Sequence, residues 1–206
     1  AGSRSVRPED GAFEDLALDA LNAAVATLRH AVPSPGDGTL AREIATLRDD
    51  VRSFVRMIRE HKPEYVALEL KFGLGDDEPV VMQVGAGLLR LRGAVDRVDH
   101  DLAGLHVVDY KTGAVHGYGS DAFKGGRRLQ HAIYAHVAES RLGHDVVDGQ
   151  YHFPTLRGQN QAVRYDRIKL AGVQGLLELM LDGVAAGHFV PTDDSQDCTF
   201  CDFAEI

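Results

Sequence analysis

Gly93-Ala94-Val95-Asp96-Arg97-Val98-Asp99, followed by Leu105-His106-Val107-Val108-Asp109-Tyr110-Lys111-Thr112-Gly113, is the stretch on which the reading of this chain turns. The first half continues a period-2 alternation, the second is a largely apolar strand, and a short turn through Asp99-His100-Asp101 and Gly104 separates them, so a β-hairpin is predicted. Asp96 lies near the end of the first strand and Asp109 thirteen positions later (109 − 96) in the second. Lys111 follows Asp109 by two, which puts both side chains on one face. Asp109 interrupts an otherwise apolar strand, and a carboxylate among Leu105, Val107 and Val108 needs a partner or a metal ion. Two carboxylates brought together by a hairpin, with a lysine beside them, suit a hard cation that activates water.

Outward from the hairpin the pattern is of mixed type. Tyr65–Phe72, Val80–Val84 and Leu88–Val98 read as strands, and Val146–Phe153 as a further one. The first 60 residues read as helix, with a stripe at Phe13, Leu16, Leu18, Leu21, Val25 and Leu28. A second stripe runs through Leu40, Ile44, Leu47, Val51, Phe54, Val55 and Ile58, after a break at Pro33 to Gly38. Arg128–Arg141 and Val173–Ala186 are the later helices. The expected fold class is α/β, a mixed central sheet flanked by helices.

Composition excludes several function classes. At 206 residues and a formal charge of −9, the chain is not coated with the basic residues of a non-specific nucleic-acid binder. No apolar run approaches the ~20 residues of a membrane span, so no membrane partner is expected. Two cysteines, Cys198 and Cys201, cannot form a disulfide framework, and a cytoplasmic setting is the expectation. P-loop, dinucleotide and nucleophile-elbow motifs are absent, as is any H-x-x-x-H zinc spacing.

One further set narrows the reading. Gln130 and Tyr134 stand four apart on one helical face, downstream of a basic loop, Lys124-Gly125-Gly126-Arg127-Arg128, suited to phosphate contact. Together, Gly93 to Asp99, Val107 to Gly113 and Gln130-x-x-x-Tyr134 resemble the RecB/AddB branch of the PD-(D/E)XK nucleases. The resemblance covers about residues 65–206. It implies a restriction-endonuclease-like core and a Mg²⁺- or Mn²⁺-dependent DNA nuclease, expected to be an exonuclease of DNA repair or recombination, with a helicase domain or subunit as partner. By the same resemblance Asp96, Asp109 and the Tyr110 carbonyl correspond to metal ligands, and Lys111 to the lysine that orients the attacking water. Glu69 corresponds to an acidic residue acting through the metal's water shell, and Gln130 and Tyr134 to residues that line the site and contact DNA. The expected organisation is a single nuclease domain over 1–206. It comprises a helical part at about 10–62, a catalytic core at about 64–190 and a C-terminal C-x-x-C tail at 191–206, cut from a longer chain.

Two departures stand against the family pattern. The family usually carries G-x-x-x-H on its first helix, whereas Gly11-Ala12-Phe13-Glu14-Asp15 ends in aspartate: either the motif helix lies upstream or the ligand is replaced, with His30 and His61 as nearby candidates. Cys198 and Cys201 resemble half of a [4Fe–4S] ligand set, and two thiolates of four allow the cluster only in a full-length parent. The alternative is a catalytically weakened nuclease fold that binds DNA or acts as a scaffold.

Overall fold

Long helical stripes need an apolar face to bury, and only one of the two N-terminal helices buries its own. The computed structural model describes residues 7–33, 36–189 and 199. Helix α1 spans Ala12–Ala31 and buries no residue. Helix α2 spans Asp37–His61 and buries Ser53, Val55, Met57 and Ile58. It stops at Lys62, which takes a left-handed conformation (φ 44°), just before Pro63. Surface pairs tie α1 to α2, among them Arg52 to Glu14 at 3.5 Å and Arg48 to Asn22 at 3.2 Å. Exposed pairs of this kind contribute about 0–1 kcal/mol each.

The central sheet has five strands, β1 (Tyr65–Phe72), β4 (Gly93–His100), β5 (Leu105–Tyr110), β6 (Val146–Phe153) and β7 (Gln161–Asp166), in the order β1-β4-β5-β6-β7. β4 and β5 form the antiparallel hairpin, with Arg97 opposite Val108. Its turn needs Gly104, whose φ is 140° and where a Cβ would lie 2.6 Å from the Asp145 carbonyl oxygen. β5 and β6 are parallel, and helix α3 (Gln130–Leu142) lies in the connection between them, as a parallel pair requires. The sheet is therefore mixed and flanked by helices, in agreement with the expected fold class. One face receives α2: Phe54 meets Tyr110 edge-on at 5.8 Å, and Asn160 donates to Ser53 Oγ at 2.7 Å. The opposite face receives α3, in a core that includes Val98, Val107, Ala132, Ala135 and Tyr151.

Two elements differ from expectation. The strand predicted over Leu88–Val98 divides at Arg92: β3 (Gly87–Leu91) pairs with β2 (Val80–Val84) in a separate two-stranded sheet, and β4 joins the main one. Alternation continues across the division, so periodicity does not mark it. β7 and the short helix α4 (Arg167–Ala171) answer to no sequence pattern. β7 has only Tyr165 fully buried, too sparse a pattern to stand out. Asp166 caps α4 by accepting from the Lys169 amide at 3.0 Å, and helix α5 (Val173–Ala185) follows.

Candidate active site

Hairpin register decides which side chains meet. Continuing the pairs Arg97–Val108 and Val98–Val107 by one step sets Asp96 across from Asp109. Strand alternation sends both towards α3, while Arg97 and Tyr110 point to the α2 side. Asp96 Oδ2 accepts from the Tyr110 amide at 2.8 Å, fixing one carboxylate oxygen and leaving the other for a ligand. Asp109 is only 2% exposed. Its Oδ2 faces the Lys111 ammonium as an ion pair and makes no hydrogen bond of normal geometry. Burial lifts the Asp109 carboxyl above the ordinary carboxylate range; Lys111 opposes the rise and the charge of Asp96 adds to it.

Lys111 is held from three sides. Besides Asp109, its ammonium donates to Gln130 Oε1 at 3.0 Å and lies 5.4 Å from the centre of the Tyr151 ring. Gln130 opens α3, and its amide lies 3.4 Å from the Tyr134 hydroxyl. Tyr134 is desolvated by burial, which raises its hydroxyl pKa; the Gln130 hydrogen bond opposes the rise, and the charges of Asp109, Asp96 and Glu69 add to it. Glu69 falls on β1 between the partners of Arg97 and Val95, alongside Asp96, and its φ of 50° is unusual for a non-glycine strand residue. Such outliers persist where the surroundings enforce them.

The hairpin, the start of α3 and Glu69 thus bring together six of the residues singled out in the sequence. The basic loop is less uniform. Lys124 is exposed, as is Arg127. Arg128 instead packs its guanidinium 3.7 Å from the Tyr118 ring centre and donates to the Gly117 carbonyl at 2.6 Å, so it braces the loop. Asp15 sits in the α1–α2 groove with Arg48 and Arg52. His30 is exposed near the end of α1, and His61 lines a cavity on the α2 side with Arg97 and His152. Cys198 and Cys201 lie outside the described residues.

Two buried groups behind the site carry no signal in the sequence. Arg97, only 6% exposed, donates to the Tyr110 hydroxyl at 2.5 Å and pairs with Asp99 at 2.9 Å. It supports from the α2 side the strand segment that carries Asp96. On the α3 side, His131 is fully buried and hydrogen-bonded to the Tyr151 hydroxyl at 2.9 Å. Gly149 permits this packing, since a Cβ there would lie 2.9 Å from the His131 carbonyl oxygen.

The donor set suits a hard divalent cation. Asp109 offers a buried carboxylate paired with the Lys111 ammonium, and Asp96 a second carboxylate across the hairpin. Among the described residues no three His, Cys, Asp or Glu side chains converge as a metal cage. Two carboxylates completed by backbone oxygen and water match magnesium-type coordination, and not a closed zinc site. No curated protein matches the chain. A family model does, over residues 3–206, and it describes the PD-(D/E)XK nuclease superfamily. With nearly the whole length matched and the acidic hairpin and its lysine assembled on the mixed sheet, the chain belongs to the PD-(D/E)XK nuclease superfamily.

Proposed function

We propose that this chain hydrolyses DNA phosphodiester bonds with Mg²⁺ or Mn²⁺ held between Asp96 and Asp109, and that it acts as an exonuclease in DNA repair or recombination. The observation that carries the reading is the convergence of Asp96, Asp109 and Lys111 at the start of α3, with the Asp109 carboxylate buried and paired with the Lys111 ammonium. What the cation adds when bound is Lewis-acid charge at the phosphoryl oxygens and a lowered water pKa. The remaining work falls to the chain. Asp96 is locked by the Tyr110 amide, so its free oxygen has a fixed direction. Lys111, carried on the same face as Asp109, orients the attacking water and offsets charge developing on the phosphate. Gln130 limits the sweep of the Lys111 side chain, while Tyr134 and Gln130 line the wall against which a DNA strand lies. Lys124 and Arg127 meet phosphates outside the scissile one. A helicase domain or subunit as partner, and a cytoplasmic setting, belong to the same proposal; no helix among the described residues is long and apolar enough to cross a membrane.

A second reading has its own observation. Asp15, at the position of the family histidine, lies in the α1–α2 groove with two arginines. A site with two carboxylates and no histidine binds metal more weakly, and this favours a DNA-binding or scaffolding module with reduced turnover. Labelled single- and double-stranded DNA, incubated with wild type and Asp109→Ala in Mg²⁺ and in Mn²⁺, separates the two. Cleavage by wild type alone supports the enzyme. DNA binding without cleavage in either metal supports the scaffold.

A further inference from the structure

The chain's catalytic reading leaves Tyr151 and His131 without a task, although they are among its most deeply buried polar side chains. Tyr151 is 1% exposed and stands in the β6 position paired with Asp109 of β5. Its ring centre lies 5.4 Å from the Lys111 ammonium. The ring cannot swing away. His131 Nδ1 holds the hydroxyl at 2.9 Å, and the imidazole is itself packed among Phe123, Tyr151 and Tyr165 at 4.9–5.4 Å between ring centres. From the loop side Tyr118 meets Tyr151 edge-on at 5.0 Å, and Arg128 lies over Tyr118. A stack therefore runs Arg128, Tyr118, Tyr151, Lys111, with His131 behind it.

We propose that Tyr151 is a positioning residue for Lys111, with its ring face fixing the place of the ammonium and His131 fixing the ring. This inference rests on Lys111 acting in the reaction, and goes beyond that reading by naming what sets its geometry. An ammonium near an aromatic face is attracted by the ring quadrupole. Asp109 and Gln130 draw the same ammonium sideways, towards β5 and α3. The ring supplies the third direction, so that Lys111 keeps its place when Asp109 turns to a metal ion. The stack also ties Lys111 to the loop carrying Lys124 and Arg127, so that a DNA strand seated on that loop would steady the lysine through Tyr118 and Tyr151.

Phenylalanine and its mono-, di- and trifluoro derivatives at position 151 test the ring directly, because they keep its shape while fluorine progressively weakens the negative face. Turnover should drop a few-fold in Tyr151→Phe, which loses the hydroxyl that His131 holds, and fall from there along the fluorinated series by about 3- to 30-fold. The DNA dissociation constant in Ca²⁺ should stay within about two-fold, since phosphate contacts elsewhere carry affinity. A flat series, or a loss appearing in affinity alone, overturns the proposal. One readout needs no activity: the Lys111 ε-methylene protons should be displaced upfield by the Tyr151 ring current and should move downfield in Tyr151→Leu. Unmoved protons in a folded Tyr151→Leu protein refute the brace, and if that variant does not fold the fluorinated series decides. Failure of the catalytic reading shows separately, as full cleavage by Lys111→Ala or none by wild type.

Discussion

Asp109→Asn should make the metal-free protein more stable and at the same time abolish the stabilisation by metal. The carboxyl is almost fully buried, and its pKa is raised chiefly by desolvation. A carboxyl raised above its unfolded value of 3.8 gives stability that is present when it is protonated and lost as pH rises through the folded value, so near neutrality its charge costs folding energy. Asparagine keeps the shape and removes that cost. The ion pair lost is with Lys111, whose ammonium is part-exposed and keeps its Gln130 contact, so the charge left behind is not stranded in the core. Relief of a functional-site cost of this kind typically yields about 0.5–2 kcal/mol. For a chain of this size that is a rise in Tm of roughly 1–8 °C at about 2–4 °C per kcal/mol. Metal reverses the order. At a hundred times its dissociation constant Mn²⁺ should stabilise wild type by about 2.7 kcal/mol and the variant hardly at all. Differential scanning calorimetry in EDTA and in Mn²⁺ reads both effects. A variant less stable than wild type in EDTA would refute the burial argument, and an equal gain from Mn²⁺ in both proteins would remove Asp109 from the metal site.

Three further outcomes are expected. Lys111→Ala should slow single-stranded DNA cleavage by ~10²–10³-fold at saturating Mg²⁺, the usual cost of one lost electrostatic partner, with DNA affinity in Ca²⁺ changed only a few-fold. His131 is pushed down to about 4 by burial, so it adds stability above its unfolded value of 6.5, and this is lost as pH falls from 6.5 towards 4. Denaturant melts should show a shallower fall over that window in His131→Phe than in wild type. Gly149→Ala should destabilise by about 1–3 kcal/mol in chemical unfolding, because the new methyl meets the His131 backbone oxygen at 2.9 Å.

What the sequence disclosed, and what it withheld, follows from the range of the interactions. The Asp96–Asp109–Lys111 grouping was legible because a hairpin is local: a short turn and strand alternation suffice to place three side chains on one face. Gln130 and Tyr134 were legible as a pair by helical spacing, but their approach to Lys111 depends on how α3 crosses the sheet, which no local pattern records. Family resemblance supplied that step. The division at Arg92 was hidden because both sheets need the same alternation, and β7 because its inward face carries little beyond Tyr165. Spacing alone sets Asp15 at the histidine position of the motif. The fold gives a physical reason it cannot simply substitute from its place on α1: its helix buries nothing and lies along α2, and α2 covers the face of the sheet opposite to Asp96 and Asp109. The Arg97–Tyr110 and His131–Tyr151 pairs were invisible for the same reason as α3's approach. Their partners are 13 and 20 residues apart in sequence, and each pair is recognisable only after the register of β4, β5 and β6 is known. Local chemistry reveals which groups can react, whereas the sheet register determines which groups hold them still. The test at Tyr151 therefore bears on the second kind of information, which this chain's motif does not contain.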